Sequence, residues 1–284
     1  MADKNTVFHQ KLSLNVQGRL IDLSQPKIMG ILNLTPDSFY DGGQNNDPVR
    51  ALKAAEEMLS HGAHFLDIGA YSSRPGAEHI DEKEEYDRLI PVIKKLVREF
   101  PDAILSIDTF RSGIAKAAVI EGAHMINDIS AGEMDAEMFT TIASLKVPYI
   151  LMHMRGTPQT MVSKTHYDDI MPEILQYFAN KIETLRGLGL KDLVIDPGFG
   201  FSKTPDQSYE VLRHLELLKT TGHPILAGLS RKSMIYKLLD TDSANALNGT
   251  IVANTIALMK GANILRVHDV KAAAEAIKIV GKVI

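Results

Sequence analysis

Eight short apolar runs in this chain each end in a residue able to do chemistry. Asn33, Asp67, Asp108, the pair Asn127-Asp128, His153, Asp196, the stretch Ser230 to Lys232, and Arg266 with His268 stand at or just past those ends. A carboxylate beside an apolar strand is costly unless it is paired or hydrogen-bonded. Any one of these Asp residues is explained by capping of the loop or helix that follows it. Polar residues at all eight ends are better explained together, as the wall of one pocket. Arg266 and His268 are two residues apart, so an extended strand puts both side chains on one side, where they read as an anion site. The competing reading is a surface Arg and a His satisfied in the core. Ser230-Arg231-Lys232-Ser233 opens a helical stretch, and backbone N–H groups at such an end attract anions, so Ser233 could hold a carboxylate or phosphate. Plain N-capping is the alternative. Asn33 offers an amide oxygen to Mg²⁺, which needs only one or two protein oxygens when phosphates and waters complete its shell.

The elements that must position these residues repeat along the chain. The apolar runs cover 28–34, 64–68, 103–107, 124–126, 147–152, 192–195, 224–229 and 263–267. The segments between them are long enough for a loop and a crossover helix. In 81–99, Tyr86, Leu89, Ile90, Ile93, Leu96 and Val97 share one helical face, with Pro91 inside the stretch to kink or split it. Residues 170–187 and 206–220 read as helices in the same way. Gly62, Gly122, Gly189, Gly222 and Gly261 suit helix C-termini ahead of the next strand. Eight strands alternating with helices predict an α/β fold, a closed (β/α)₈ TIM barrel with its active site at the C-terminal strand ends. Alternation around Gln17-Gly18 in 12–23 predicts a β-hairpin closing the bottom. One domain over 1–284 is expected, its barrel spanning about 28–281.

Composition narrows the function. The 284 residues carry 31 Lys plus Arg against 35 Asp plus Glu, for a net charge of −4 and no basic block, so a nucleic-acid partner is not expected. There is no cysteine, which removes thiolate ligands, cysteine nucleophiles and disulfides and suits a reducing compartment. No apolar run is long enough for a membrane helix, and residues 1–10 lack a signal-type core, so a cytoplasmic protein with no membrane partner is expected. His9, His61, His79, His166, His214 and His223 show no metal-type spacing. Met152 and Met154 alternate with His153, and either fill the core or line a flat apolar slot. The Gly-, Pro- and Ser-rich loops at 35–44 and 71–80 read as lids or as plain connections.

Seven blocks together resemble the dihydropteroate synthase family. They are IMGILNLTPDSFYDGG at 28–43, LDIGAYSSRPGA at 66–77, SIDTFR at 106–111, INDISAG at 126–132, DPGFGFSKT at 196–204, SRKSMI at 230–235 and RVHDV at 266–270. The resemblance implies a transferase of folate and tetrahydrofolate biosynthesis. It would join 4-aminobenzoate to (7,8-dihydropterin-6-yl)methyl diphosphate with dissociative loss of diphosphate. The family also implies bound Mg²⁺, a homodimer and inhibition by sulfonamides. Carried over by position, Asp67, Asp108, Asn127, Asp196, Lys232, Met152 and Gly228 would line the pterin slot. Asn33 would hold Mg²⁺ on the diphosphate beside Arg266 and His268. Ser73 would reach the diphosphate or the incoming amine, Pro75, Phe201, Lys232 and Ser233 would receive 4-aminobenzoate, and Asp41, Arg74 and Lys232 would be the catalytic group.

The sequence departs from the family in one loop. Where members commonly have Gly-Glu-Ser-Thr-Arg-Pro-Gly, this chain has Ala70-Tyr71-Ser72-Ser73-Arg74-Pro75-Gly76. Two other readings share the barrel: a pterin-binding methyltransferase serving a corrinoid partner, and a barrel that binds a pterin without turnover. The first has no need of the Arg266/His268 pair or the Lys232-Ser233 pocket, and the full residue set argues against the second.

Overall fold

Residues 11–34, 47–72 and 79–283 are described in the computed structural model of the chain. The chain begins with the hairpin of β1 (Ser13–Val16) and β2 (Arg19–Asp22). Gln17 and Gly18 both take positive φ, 49° and 87°, as a two-residue turn matched to strand twist requires. Eight strands follow: β3 (Lys27–Asn33), β4 (Phe65–Gly69), β5 (Ile104–Asp108), β6 (Met125–Asp128), β7 (Tyr149–Met152), β8 (Leu193–Asp196), β9 (Leu226–Ala227) and β10 (Ile264–Val267). They pair in parallel in the order β8-β7-β6-β5-β4-β3-β10-β9. A parallel bridge between Ile195 and Ile225 joins the two ends, so the sheet closes as the sequence predicts.

Around the strands lie α1 (Asp47–Ser60), α2 (Glu82–Glu99), α3 (Ser112–Ile120), α4 (Met138–Leu145), α5 (Ile170–Gly187), α6 (Pro205–Arg213), α7 (Ser233–Leu238), α8 (Leu247–Met259) and α9 (Val270–Val280). The five glycines expected at helix ends all have positive φ, between 76° and 100°. Helix α2 runs through Pro91 unbroken. Pro91 is exposed, so water can satisfy the carbonyl that its missing N–H releases. Tyr86 is not on the buried face of α2. Glu85 is there instead, its carboxylate accepting from Thr109 Oγ1 at 2.7 Å and from the Arg111 guanidinium. The helix expected at 206–220 stops at Arg213 and continues as a 3₁₀ stretch, Leu215–Thr221.

Two separate cores result from strand alternation. Outward side chains pack under the helices. Inward residues Met29, Phe65, Ile104, Met125, Ile150, Val194, Leu226 and Ile264 form an apolar ring, which Leu14, Val16, Ile21 and Leu23 of the hairpin plug from below.

Candidate active site at the barrel mouth

Each residue of that ring has a neighbour two positions on, one level nearer the C-terminal strand ends and on the same inner face. Those neighbours are Ile31, Asp67, Ser106, Asn127, Met152, Asp196, Gly228 and Arg266. The chemistry changes abruptly between levels, from eight hydrophobes to carboxylates, an amide, a hydroxyl and a guanidinium.

Arg266 organises one half of this level. It reaches past β3 to donate from Nε to Asp67 Oδ2 and from Nη2 to Asp108 Oδ2, each at 2.6 Å. Asn127 donates from Nδ2 to the same Asp67 oxygen at 2.9 Å. Burial pushes Asp108 up to about 7; Arg266 opposes this and the Asp67 charge adds to it. The two carboxylates hold the Arg266 guanidinium above its usual range despite burial. Asp67 Oδ1 and Ser106 Oγ, facing one another on β4 and β5, find no hydrogen-bond partner among the described residues. Unmet polar atoms of this kind call for a ligand or water.

Asp196 organises the other half. Its Oδ1 accepts from Gly198 N at 2.8 Å, leaving Oδ2 toward the pocket. Burial raises its pKa, and the Gly198 N–H and the Lys232 ammonium work against that. A Cβ placed on Gly228 would lie 3.6 Å from Asp196 Oδ2, so glycine keeps one wall flat beside the carboxylate. Met152 is paired in register with Asp196 and packs in a cluster with Phe201. Lys232 Nζ lies 4.3 Å from the centre of the Phe201 ring. Arg231, with φ of 54°, turns the chain so that Lys232 faces inward while its own guanidinium grips Asp269 with two bonds of 2.9 Å. Carboxylates and an amide around a flat apolar slot can read the donor–acceptor edge of a planar heterocycle.

The rim lies one level higher. Asn33 ends β3, and His268 stands just past β10 with its Nδ1 3.0 Å from Ser230 Oγ. His268 is exposed, yet surrounding protein and the Arg266 charge lower its pKa, so the ring is neutral at pH 7. Its partner Arg266 is committed to the two carboxylates below, so the two residues do not meet as a pair of cations. Ser233 opens α7, with Lys232 at the cap position. No group of three His, Asp or Glu among the described residues could hold a metal. The donors present fit an ion that arrives with a phosphate group and takes one oxygen from Asn33.

Several residues named from the sequence lie elsewhere. Asp41, Ser73, Arg74 and Pro75 fall outside the described residues. Asp128 faces away from the barrel interior and holds its own loop, accepting from Tyr149 Oη, Ser130 N and Oγ, and Gly132 N at 2.6–2.8 Å. His153 is buried behind β7 against Lys203. Tyr71 joins the apolar cluster above Met152, with its hydroxyl on Gln159 and His79. Ser106 escaped the sequence reading as a site residue, and Ser230 was named only as part of a strand end. Counting back two residues from Asp108 along its strand would have found Ser106. The contact of Ser230 with His268 joins strands 38 residues apart and has no local signal.

Comparison with known proteins gives a consistent answer. A family model described as pterin binding enzyme matches residues 29–268. The dihydropteroate synthase of Synechocystis sp. is 45% identical over 255 residues, which are 89% of this chain and 88% of that one. The crystal structure of the Yersinia pestis dihydropteroate synthase with a sulfonamide drug superposes with a TM-score of 0.90 at 42% identity, covering 95% of this chain and 98% of that one. The Xanthomonas albilineans dihydropteroate synthase with 4-aminobenzoic acid gives a TM-score of 0.90 at 39% identity, covering 96% and 98%.

Proposed function

This chain belongs to the dihydropteroate synthase family of pterin-binding enzymes, and on that premise we propose the reaction and the part each residue plays. The enzyme joins 4-aminobenzoate to (7,8-dihydropterin-6-yl)methyl diphosphate, giving 7,8-dihydropteroate and diphosphate. The observation that carries this reading is the barrel mouth, where Asp196 and Asn127 of the polar level, with Asp108 and Lys232 just above it, surround a slot floored by hydrophobes. Asp196 accepts from the amino group and ring N–H of the pterin. Asn127 and Asp108 read the adjoining edge, Lys232 donates to the ring carbonyl, and Gly228 and Met152 bound the faces.

In the reaction the bond between the pterin methylene carbon and the diphosphate oxygen breaks, and its electron pair leaves with the diphosphate. The cation left behind is delocalised into the pterin and stabilised by the carboxylates beneath it. The amine of 4-aminobenzoate, held between Phe201 and Lys232 with its carboxylate near Ser233, then bonds to that carbon and passes one proton to the released diphosphate or to water. His268, just past β10, faces the departing anion, Arg266 adds its charge while held by Asp67 and Asp108, and Asn33 would hold Mg²⁺ on the diphosphate. That ion, when bound, supplies positive charge to the leaving group. No protein nucleophile is required.

Sulfonamides, which resemble 4-aminobenzoate, belong to the same proposal as inhibitors of this chain, as does a cytoplasmic location. A homodimer is supported by the exposed stripe Val252, Ile256 and Met259 on α8, with Leu238 at the end of α7, Leu239 just past it and Ile279 on α9 also exposed. No helix among the described residues is long and apolar enough to cross a membrane.

The test is direct: supply the dihydropterin diphosphate, 4-aminobenzoate and Mg²⁺ and measure dihydropteroate. Asp196→Ala removes two charge-assisted hydrogen bonds and should weaken pterin binding by roughly a hundredfold or more. Normal turnover by Asp196→Ala would overturn the pocket assignment.

A further inference from the structure

The turn between β8 and α6 is an unusual piece of backbone. Gly198, Gly200 and Ser202 all have positive φ, at 70°, 78° and 46°. A Cβ on Gly198 would sit 2.1 Å from the carbonyl oxygen of His153, a contact only glycine permits. This turn carries Asp196 at its start and Phe201 near its end, so its shape fixes the spacing between the pterin carboxylate and the ring that faces Lys232. Left-handed residues at alternate positions turn carbonyls inward, and such a fold does not hold itself.

Lys203 fills the interior of the turn. It is 7% exposed, and its Nζ lies 3.1 Å from the carbonyl oxygens of both Gly198 and Phe201, 3.4 Å from that of His153 and 2.9 Å from His153 Nδ1. Four acceptors around one ammonium form a cage suited to a cation. His153 cannot compete for the charge, since burial and the nearby Lys203 and Arg155 push its pKa down to about 2. Its neutral ring is therefore an acceptor at Nδ1. The mechanism above uses neither residue.

We propose that Lys203 is a positioning residue for the second substrate: by holding the carbonyls of Gly198 and Phe201 from behind, it sets the Phe201 ring against Lys232 and so shapes the 4-aminobenzoate subsite. The proposal rests on the reaction assigned above. It also implies a pH dependence. Burial pushes Lys203 down to about 7, with Asp196 opposing and Arg155 and Lys232 reinforcing the shift; with neutral His153, these are the groups that face it. Loss of the proton removes the charge and one donor from the cage, so the subsite loosens as pH rises above neutrality.

The experiment compares wild-type enzyme with Lys203→Met. At saturating dihydropterin diphosphate, the KM for 4-aminobenzoate should rise at least tenfold in Lys203→Met, while calorimetric affinity for 6-hydroxymethylpterin stays within threefold. The wild-type KM should climb from neutral to alkaline pH and the Lys203→Met KM should not, a difference that a merely structural lysine would not produce. If Lys203→Met does not fold, Lys203→Gln, which keeps two donors, is measured instead, with at least a threefold rise expected. An unchanged KM in the variant that folds, or the same pH profile in both proteins, overturns the proposal. If the wild type makes no dihydropteroate, the reaction assignment fails separately. The clamp is then judged by hydrogen–deuterium exchange over residues 197–202, where exchange at the wild-type rate in the variant overturns it.

Discussion

Arg266 and Asp108, 158 residues apart in sequence, meet at 2.6 Å across the barrel mouth, and the same guanidinium holds Asp67 at equal distance. One cation thus serves two buried carboxylates. Arg266→Met should cost about 3–5 kcal/mol of stability, because both charges lose their partner. The loss should depend on pH. Asp108 already keeps its proton to about 7 in the folded protein against 3.8 when unfolded, and without Arg266 it keeps it further. The folded state then binds more protons than the unfolded one, so denaturant unfolding should show the variant weakening as pH climbs between about 5 and 8.

Gly228 separates folding from binding. A methyl group there would stand 3.6 Å from Asp196 Oδ2, an ordinary contact in the free protein. Gly228→Ala should therefore unfold within about 0.5 kcal/mol of the wild type. The same methyl occupies the space where a pterin ring must lie flat against Asp196, so calorimetry should show roughly tenfold weaker pterin binding or worse.

Two buried histidines set the acid limit. Burial and neighbouring cations push His153 down to about 2 and His223 down to about 4, while both titrate near 6.5 in the unfolded chain. Their depressed pKa values mean stability is intact above 6.5 and lost as pH falls. Between about pH 6.5 and 4.5 the pair should remove about 5 kcal/mol, at about 1.4 kcal/mol per pH unit for each. Asp108, raised to about 7, works in the opposite direction over the same range, so the effect is read as a difference: His223→Gln should lack about 1.4 kcal/mol per pH unit of the acid-side loss in denaturation measured against pH.

Tyr71 stands where the family commonly has Glu. Its hydroxyl accepts from Gln159 Nε2 at 2.8 Å and bonds to His79 Nδ1 at 3.1 Å, and its ring meets Phe110 edge-on at 5.0 Å. Tyr71→Phe keeps the ring and should cost about 1–2 kcal/mol, seen as a fall in Tm of roughly 2–8 °C. Tyr71→Glu should cost more, since it places a carboxylate in the apolar cluster of Ile80, Phe110, Ile129 and Met152.

What the sequence made legible was local. Apolar runs, the Gln17-Gly18 turn and the glycines at helix ends are each signalled by a few neighbouring residues, and each strand begins within two residues of its expected place. Most site residues were legible as polar strand ends, because the barrel gathers those ends at one mouth, although Asp128 and His153 turn away from it. What stayed hidden depends on partners far along the chain. Glu85 reads as a solvent residue until Thr109 and Arg111 are folded against it. Lys203 reads as a charge in a loop until four acceptors from two segments close round it. Arg266 reads as half of an anion site until Asp67 and Asp108 arrive from other strands.

The hairpin plug also dictates traffic. With Leu14, Val16, Ile21 and Leu23 sealing the opposite end, the described residues leave the barrel mouth as the way in and out. The heterocycle goes to the deepest level, and a second molecule seated at the threshold bars its exit. On the proposed reaction this geometry predicts sequential entry, inner guest before outer, and withdrawal of the joined product as one piece, trailing the ring that went in first.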